Sequence, residues 1–353
     1  MSPRQYDKTH MKDHTFRLSI LDQSIVRNGK SARDAVAETV QVARLADQLG
    51  YYRFWISEHH NNKMIAGSTP EVLMVKLAEV TERIRIGSGG IMLPNHSSLK
   101  VAENFRMLEA LYPGRIDLGI GRAPGTDRLT AYLLNPSNRF AEEDFENKLN
   151  ELDAFFTDTA ATEHGRILAV PMADTRPQQW LLSSGANASL AGKMGMGLGI
   201  PIFISGRIAP EAAETYRNAF MPSDMFDKPE VLLGLFVACA ESEEKAELMR
   251  KALLITLVSM DMGVLKSMDN YEEIEQYQFS PVELDRIRQV HQNKVVAGTP
   301  EQVKARLDEL ASAYGADEII ATVIAPTLED KTRSFELIAE TYKLHDRISA
   351  IAE

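Results

Sequence analysis

Short apolar runs alternate with longer amphipathic segments along most of this chain. The first run, FRLSIL at residues 16–21, is rich in apolar and aromatic residues in the manner of a buried strand. In the segment that follows it, RDAVAETVQVARLADQLG, apolar residues from Val36 to Leu49 recur at helical spacing, and Gly50 ends the helix. A strand followed by a helix is therefore the repeating unit that the pattern predicts.

The same alternation continues and predicts eight strands in all. The other seven are YRFWIS (52–57), RIRIGSGGIML (83–93), RIDLGIG (115–121), QWLLS (179–183), GIPIFIS (199–205), VLLGLFVACA (231–240) and DEIIATVI (317–324). The predicted helices include one from about Pro70, one from Ser98 to Leu111, ANASLAGKMG, PEAAETYRNAF, TPEQVKARLDELASAYG and a last one from about Lys331 to Ile348.

Eight strands that alternate with helices fit either an open doubly wound sheet or a closed (β/α)8 TIM barrel, and the strand count favours the barrel. No linker-like composition divides the chain, so we predict a flexible N-terminal segment, residues 1–15, and a single barrel domain, residues 16–353. Two insertions exceed what a barrel needs. Residues 122–178, with a small hairpin predicted around RILAVPMA, and residues 255–295 are expected to form lids or partner surfaces.

Composition narrows the functional classes. The 353 residues are 44% hydrophobic, which is ample for a large core, and the net charge of −11 without any basic run argues against nucleic-acid binding. No apolar run is long enough to span a membrane, and the polar N-terminus has no apolar core segment, so we expect a cytoplasmic protein. The single cysteine, Cys239, lies in an apolar run, which favours a buried inert thiol over a reactive one.

The stretch FWISEHHNN, residues 54–62, passes from an apolar strand directly into a carboxylate, two imidazoles and two amides. In a barrel the chemistry lies where strands end, so Glu58 and His59 are candidate catalytic residues. Adjacent residues on an extended chain point to opposite sides, so His59 and His60 cannot both face one ion, and we predict no metal site. Histidines that only make hydrogen bonds at the barrel rim are the alternative, more so for His60 than for His59.

Two further strand ends carry polar residues. The stretch LLSSGANASLAGKMG places Ser, Gly and Asn at the start of a helix, which fits either simple N-capping or a phosphate site on free N–H groups. Arg122, after the fourth strand, could supply the positive charge that a phosphate needs. The glycines of GSGG (87–90), with Gly119 and Gly121, either clear space for a flat ring system or mark local kinks and bulges.

With these residues in view, the chain resembles the bacterial luciferase-like family of flavin-dependent monooxygenases over about residues 16–350. FWISEHHN corresponds to the family's EHH motif, and the stretch from IRIGSGG to GIGRAPG corresponds to its third-to-fourth strand block. VAGTPEQVKARLDEL matches its penultimate helix. The resemblance implies a (β/α)8 barrel, usually dimeric, that holds FMN or a deazaflavin in its mouth.

The resemblance also assigns roles to residues. It implies that His59 performs acid–base work near the reacting part of the flavin, and that Glu58 supports the loop or tunes the imidazole. The cofactor-binding residues that it implies are Gly89, Gly90, Arg122, Ser183, Ser184, Gly185 and Asn187, with Arg122 on the phosphate and the Gly89–Gly90 bond at a non-prolyl cis peptide. The sequence departs from the luciferases themselves at Ser183, where they have a glutamate, and at Asn187, where they have a threonine.

The implied function is a monooxygenase that uses reduced FMN and O₂ to oxygenate a small organic substrate. No GxGxxG turn follows a strand, so we expect a separate NAD(P)H-dependent flavin reductase to supply the reduced FMN. The other expected partner is a second copy of the chain in a homodimer. Two alternatives are a deazaflavin-dependent oxidoreductase, which moves a hydride without oxygen, and a non-catalytic flavin-binding protein.

Overall fold

A computed structural model describes residues 16–137, 140–263 and 266–345 of the protein. Eight parallel strands form a closed barrel, which confirms the predicted fold. In chain order they are β1 Arg17–Asp22, β2 Arg53–Ile56, β3 Arg85–Met92, β4 Ile116–Gly121, β5 Gln178–Leu182, β6 Gly197–Pro201, β7 Val231–Cys239 and β8 Glu318–Thr322. The ring closes where Leu18 of β1 pairs with Ile319 of β8.

Helices surround the barrel and lie between its strands. Their bounds are Ala32–Leu49, Pro70–Glu79, Ser98–Leu111, Arg128–Leu134, Glu142–Phe156, Ala188–Lys193, Ile202–Ser205, Glu211–Ala219, Glu243–Asp261, Tyr271–Gln276, Pro281–Arg286, Pro300–Tyr314 and Leu328–Thr341. A 3₁₀ turn covers Leu93–Asn95, and a π-helical turn covers Ile287–His291. The predicted flexible segment, residues 1–15, lies outside the described residues, as does the predicted end of the last helix at Ile348.

The first helix shows how local sequence fixes an element. The Ser31 hydroxyl accepts the backbone N–H of Asp34, and the Asp34 carboxylate accepts the backbone N–H of Ser31, which together form a capping box. At the other end Gly50 adopts a left-handed conformation with φ of 87°, and its N–H donates back to Ala46. The helix bounds that the sequence predicts here are confirmed.

Three details differ from the prediction. The segment IFIS, predicted as the end of the sixth strand, is the helix Ile202–Ser205, because the chain leaves the barrel at Pro201. A short strand that was not predicted, Val295–Gly298, pairs with the last four residues of β7. The small hairpin consists of Ala161–Thr162 and Gly165–Arg166, so it precedes most of RILAVPMA, where Pro171 has no N–H to donate.

A charged network fills the amino-terminal end of the barrel. The Arg53 guanidinium donates to Glu318 at 2.6 Å and to Asp117 at 2.8 Å, and all three side chains are fully buried. Asp117 also accepts from Arg85 at 2.6 Å and from the indole N–H of Trp55 at 3.0 Å. Burial alone would raise the pKa of Asp117, but the charges of Arg53 and Arg85 lower it below its usual value. This end of the barrel is therefore closed by paired charges.

Candidate active site

The opposite end of the barrel, where the strands terminate, contains a cavity of about 530 Å³. This volume lies within the range of roughly 300–1,000 Å³ that is typical of small-molecule sites. Its floor is an apolar cluster that includes Leu21, Trp55, Leu232 and Ile320. Trp55 links this floor to the charged network beneath it, because its indole N–H donates to Asp117. Side chains therefore fill the barrel at its amino-terminal end, whereas the carboxyl-terminal end contains a cavity.

The structure brings most of the predicted site residues to this cavity. His59, Gly89, Arg122, Ser183, Ser184 and Asn187 all line it. Glu58, Gly90 and Gly185 do not line it, although each adjoins a residue that does. Four separate segments of the chain, in β3 or directly after β2, β4 and β5, therefore meet around one space.

Glu58 is fully buried and lies beneath the cavity rim rather than on it. Its carboxylate accepts hydrogen bonds from Nε2 of His60 at 2.8 Å, from Nε2 of His96 at 2.9 Å and from the backbone N–H of Met92 at 2.9 Å. Burial would raise the pKa of Glu58, but these hydrogen bonds and the charge of His96 lower it below its usual value. Glu58 makes no hydrogen bond to the His59 ring; its partners hold the ends of β2 and β3 together.

His59 is half-buried and faces the cavity. Its backbone N–H donates to Gly67 at 2.8 Å, which fixes the chain at this point. Burial lowers the pKa of His59 below its usual value, against the opposing effects of a hydrogen bond to the Gly125 backbone and the nearby charge of Glu58. The imidazole is consequently neutral at pH 7, so it can accept a proton from a bound molecule.

Arg122 supplies an unpaired positive charge to the cavity. The residue is half-buried after β4, and within the described residues its guanidinium makes no hydrogen bond or ion pair. Most other half-buried arginines of this chain are paired, as Arg27 is with Glu38. A guanidinium offers several N–H donors in a fixed plane, which matches a phosphate or carboxylate. Arg122 is therefore suited to an anionic ligand.

The loop after β5 differs in one respect from the predicted phosphate loop. The Ser183 hydroxyl accepts the backbone N–H groups of Gly185 at 3.1 Å and Asn187 at 3.0 Å. Those two N–H groups are thus engaged within the turn before the helix, whereas the N-cap residue Asn187 makes no side-chain cap, so simple N-capping does not describe this loop. No hydrogen bond between described residues uses the N–H groups of Ser184 and Ala186, and both residues line the cavity. These N–H groups and the exposed Ser184 hydroxyl are the donors that remain for a ligand.

Two buried polar atoms at the cavity have no partner in the protein. Oδ1 of Asn187 and Oγ of Ser57 are both unpaired, although the residues are only 4% exposed. An unsatisfied buried polar group is costly, so such groups at a cavity indicate a ligand or water that completes their hydrogen bonds. The sequence analysis did not predict Ser57. Its position at the end of a predicted strand, directly before Glu58, was the available signal.

The glycines of β3 and β4 mainly serve the packing of the barrel itself. A Cβ atom on Gly90 would come within 2.6 Å of the backbone oxygen of Gly119, and one on Gly119 would come within 2.2 Å of the oxygen of Ser88. The Gly89–Gly90 peptide bond is cis, as the resemblance implies. Gly89 and Gly121 line the cavity, but a Cβ on either would first meet a protein side chain. Close backbone packing at Gly90 and Gly119, together with the register shift between Ser88 and Ile91 that matches the predicted bulge, explains these glycines better than clearance for a ring.

Other polar groups near the strand ends are committed to structure. Asp22 at the end of β1 is buried and pairs with Lys331 and Thr39. Cys239 is buried, as predicted, and burial raises the pKa of its thiol to about 12. Across the described ranges, no group of three or more His, Cys, Asp or Glu side chains is arranged to hold a metal ion. In the same part of the chain, no helix is long and apolar enough to cross a bilayer.

Comparison with known proteins identifies the family. A model of luciferase-like monooxygenases matches residues 16–317. The chain belongs to the luciferase-like monooxygenase family. Among its family relatives, the uncharacterized protein YwcH of Bacillus subtilis (strain 168) is 43% identical over 92% of this chain and 98% of that protein. The N-acetyl-S-alkylcysteine monooxygenase of the same organism is 35% identical over 92% of this chain and 98% of that protein.

A solved structure agrees with the sequence relationship. The crystal structure of apo-MsnO8 is 32% identical, covers 94% of this chain and 98% of its own, and superposes with a TM-score of 0.85. The chain therefore shares both its barrel and its length with this family member. The family and fold expectations are confirmed, whereas the roles assigned to His59, Glu58 and the cofactor-binding residues stay predictions.

Proposed function

We propose that this luciferase-like monooxygenase binds FMN and uses its reduced form with O₂ to oxygenate a small organic substrate. Reduced FMN would supply two electrons, so that one oxygen atom of O₂ enters the substrate and the other leaves as water. The observation that carries the proposal is the unpaired Arg122 beside a cavity with an apolar floor. The cavity would thus combine a binding site for an anionic group with an apolar region that keeps water away from the reaction.

The residues around Arg122 suit the phosphate of FMN. Arg122 would provide the charge, and the free N–H groups of Ser184 and Ala186 with the Ser184 hydroxyl would provide further donors. The unpaired Oδ1 of Asn187 would gain a partner from a hydroxyl of the same ligand. Arrangements of this kind bind phosphates through charge-assisted hydrogen bonds. The phosphate would therefore be held at the ends of β4 and β5.

His59 would move a proton at the other side of the cavity. Its neutral ring can take up a proton through the nitrogen that does not bond to the Gly125 backbone. The apolar side chains of Leu21, Trp55 and Leu232 would exclude water from the reacting region. Glu58 would act indirectly, because its hydrogen bonds to His60 and His96 fix the segment that carries His59.

The partners are also proposals. A separate NAD(P)H-dependent flavin reductase would supply reduced FMN, because the sequence lacks a nicotinamide fingerprint. A homodimer would form through helices Pro70–Glu79 and Ser98–Leu111. Val72, Met107 and Leu111 on these helices are 68%, 50% and 52% exposed, which is unusual for large apolar side chains on adjacent helices.

Anaerobic titration of the purified protein with reduced FMN and with a reduced deazaflavin tests the cofactor. We expect reduced FMN to bind more tightly, and O₂ uptake to rise when a flavin reductase, NADH and an oxidisable substrate are added. Binding of the deazaflavin alone would indicate a hydride-transferring oxidoreductase. Stoichiometric FMN binding without oxygen consumption across a broad panel of carbonyl and sulfur compounds would indicate a non-catalytic flavin-binding protein.

A further inference from the structure

The cavity has an unusual distribution of charge. Among the described residues that line it, Arg122 is the only Arg, Lys, Asp or Glu side chain. His59 is neutral at pH 7, because burial lowers its pKa. Once a cofactor phosphate occupies Arg122, these lining residues therefore offer no charge to balance a second anion or a cation.

Most of the polar lining side chains form two groups, which follow different pairs of strands; Thr256 and Ser267 belong to neither group. One group, Arg122, Ser183, Ser184 and Asn187, follows β4 and β5, and the proposed function assigns it to the phosphate. The other group, Gln23, Ser57, His59 and Asn62, follows β1 and β2. In this second group Oγ of Ser57 is unpaired and buried, whereas Oδ1 of Asn62 already accepts the N–H of Met64. Ser57 thus lines the cavity, and its buried hydroxyl has no hydrogen-bond partner in the protein.

The remaining wall is mainly apolar, with Thr256 and Ser267 as its polar side chains, and comes from β7 and from segments that follow the strand ends. Helix Glu243–Asp261 contributes Leu253, Leu257 and Met260. Its one polar lining side chain, Thr256, donates its hydroxyl to the carbonyl of Ala252 in the same helix. The other apolar lining residues of this wall are Ile25, Ile65, Phe203, Ile204, Phe236 and Ile324. The space between this wall and Ser57 therefore suits an apolar body with one polar end.

We infer that the substrate is an uncharged molecule with a mainly apolar body and one hydrogen-bond-accepting group, which the Ser57 hydroxyl holds. The inference rests on the proposed function, because it assumes that Arg122 is occupied by the FMN phosphate. A carboxylate placed against Leu253, Leu257 and Phe236 would lose its hydration without gaining a counter-ion, which strongly disfavours it. An ester or amide of the same size loses far less hydration free energy when it enters this space.

This inference predicts that the chain and one of its relatives differ in the charge of their substrates. An N-acetyl-S-alkylcysteine, the substrate named for the Bacillus subtilis monooxygenase, carries a carboxylate at neutral pH. We expect the present protein to prefer the methyl ester of such a compound to the acid. Acid and ester differ by one methyl group and one charge, so the comparison isolates the effect of charge.

The test measures binding rather than turnover. FMN-loaded protein is titrated calorimetrically with three acid and methyl-ester pairs: N-acetyl-S-benzylcysteine, octanoate and 4-phenylbutyrate. We expect each ester that binds to do so at least roughly tenfold more tightly than its acid. Quenching of the fluorescence of Trp55, which lines the cavity, gives an independent readout. Equal affinities, tighter acids, or no binding by any of the three esters would overturn the inference.

Two variants with a matched control locate the effect. Ser57→Ala should weaken the binding of esters by roughly three- to tenfold and leave FMN binding unchanged. Met260→Lys places a cation on the cavity wall and should improve acid binding several-fold relative to ester binding. Met262→Lys adds the same charge two residues further on, outside the cavity lining, and should leave the preference unchanged. Equal effects of the two lysines, or no effect of Ser57→Ala, would count against the inference.

Failure of the proposed function and failure of the inference about substrate charge give different experimental results. Protein that binds no FMN contradicts the proposed function before any substrate is added. Protein that binds FMN but takes acids and esters equally well contradicts only the inference about substrate charge. The experiment therefore gives a definite result for each.

Discussion

Nε2 of His96 lies 2.9 Å from a carboxylate oxygen of Glu58, which ties the segment after β3 to the end of β2. The same carboxylate accepts from His60, so the two residues that flank His59 belong to one buried hydrogen-bonded cluster. His59 itself stays free to face the cavity. In the EHH motif, therefore, the carboxylate and the second histidine hold the loop, and the first histidine faces the cavity.

The Glu58–His96 pair should make stability depend on pH. Burial opposes both charges, but the pair lowers the pKa of Glu58 below its ordinary 4.5 and raises that of His96 above its ordinary 6.5. The contribution of Glu58 is present above its ordinary pKa and is lost as pH falls through the lowered value. That of His96 is complete below its ordinary pKa and is lost as pH rises through the raised value. The pair thus stabilises most between about pH 4.5 and 6.5.

We expect His96→Gln to lower the free energy of unfolding by roughly 1.5–3 kcal/mol at about pH 5.5 and by clearly less at about pH 9. Urea unfolding at the two pH values measures the difference. His164→Gln is the control, since His164 is 85% exposed and pairs only with its exposed neighbour Glu163. If His96→Gln lowers the free energy of unfolding equally at both pH values, the charge of the pair does not contribute to stability.

Arg122→Ala should weaken FMN far more than riboflavin, which lacks the phosphate. Loss of a charge-assisted contact of about 1.5–3 kcal/mol corresponds to a roughly ten- to hundredfold weaker Kd for FMN. Fluorescence titration with both flavins measures the ratio. Arg207→Ala removes an exposed arginine that does not line the cavity and serves as the control. Equal losses for FMN and riboflavin would remove Arg122 from the phosphate site.

His59→Gln should spare FMN binding and impair turnover. Because burial keeps the pKa of His59 below its ordinary 6.5, the neutral base is present at neutral pH and is lost only as the solution becomes acidic. The rate of the wild-type protein should therefore fall on the acid side with this pKa, and the fall should disappear in the variant. A pH profile of kcat/KM for both proteins decides the point, and an unchanged acid limb in His59→Gln would assign the fall to another group.

Arg53→Met should destabilise the barrel strongly. It leaves Asp117 and Glu318 as buried carboxylates without their shared partner, which typically costs about 3–5 kcal/mol. Guanidinium unfolding measures the loss. Arg333→Met is the matched control, because Arg333 is partly exposed and pairs with surface carboxylates, so its loss should stay within about 1 kcal/mol. Similar losses in both variants would contradict a special role for the buried network.

The proposed dimer predicts that charge on the exposed apolar helices dissociates it. Val72→Glu combined with Met107→Glu should shift sedimentation velocity from dimer to monomer, because a buried unpaired carboxylate opposes association. Val282→Glu introduces the same charge at another apolar residue that is 70% exposed and should leave the dimer intact. A wild-type chain that sediments as a monomer at all concentrations would refute the homodimer.

Much of the architecture follows from the sequence alone. All eight barrel strands were predicted within a few residues, because each is a short apolar run between amphipathic helices. The exceptions have local causes. IFIS continues an apolar run and so resembles a strand, yet its pairing with β7 ends at Pro201 and the segment forms a short helix that ends at the left-handed Gly206. The strand Val295–Gly298 is too short to stand out, and it forms because β7 continues past the end of its pairing with β8.

The sequence by itself determined that His59, Arg122 and Ser184 would gather at one end of a barrel, because parallel strands present their carboxyl ends on the same side. Only the tertiary structure decided which groups are free there. Glu58 bonds to His96 from the segment after another strand, and Ser183 accepts N–H groups of its own loop. The Ser57 hydroxyl and the Arg122 guanidinium, by contrast, have no hydrogen-bond partner among the described residues. Such pairings depend on side-chain directions and on distances of a few ångströms between segments remote in sequence, which periodicity does not encode.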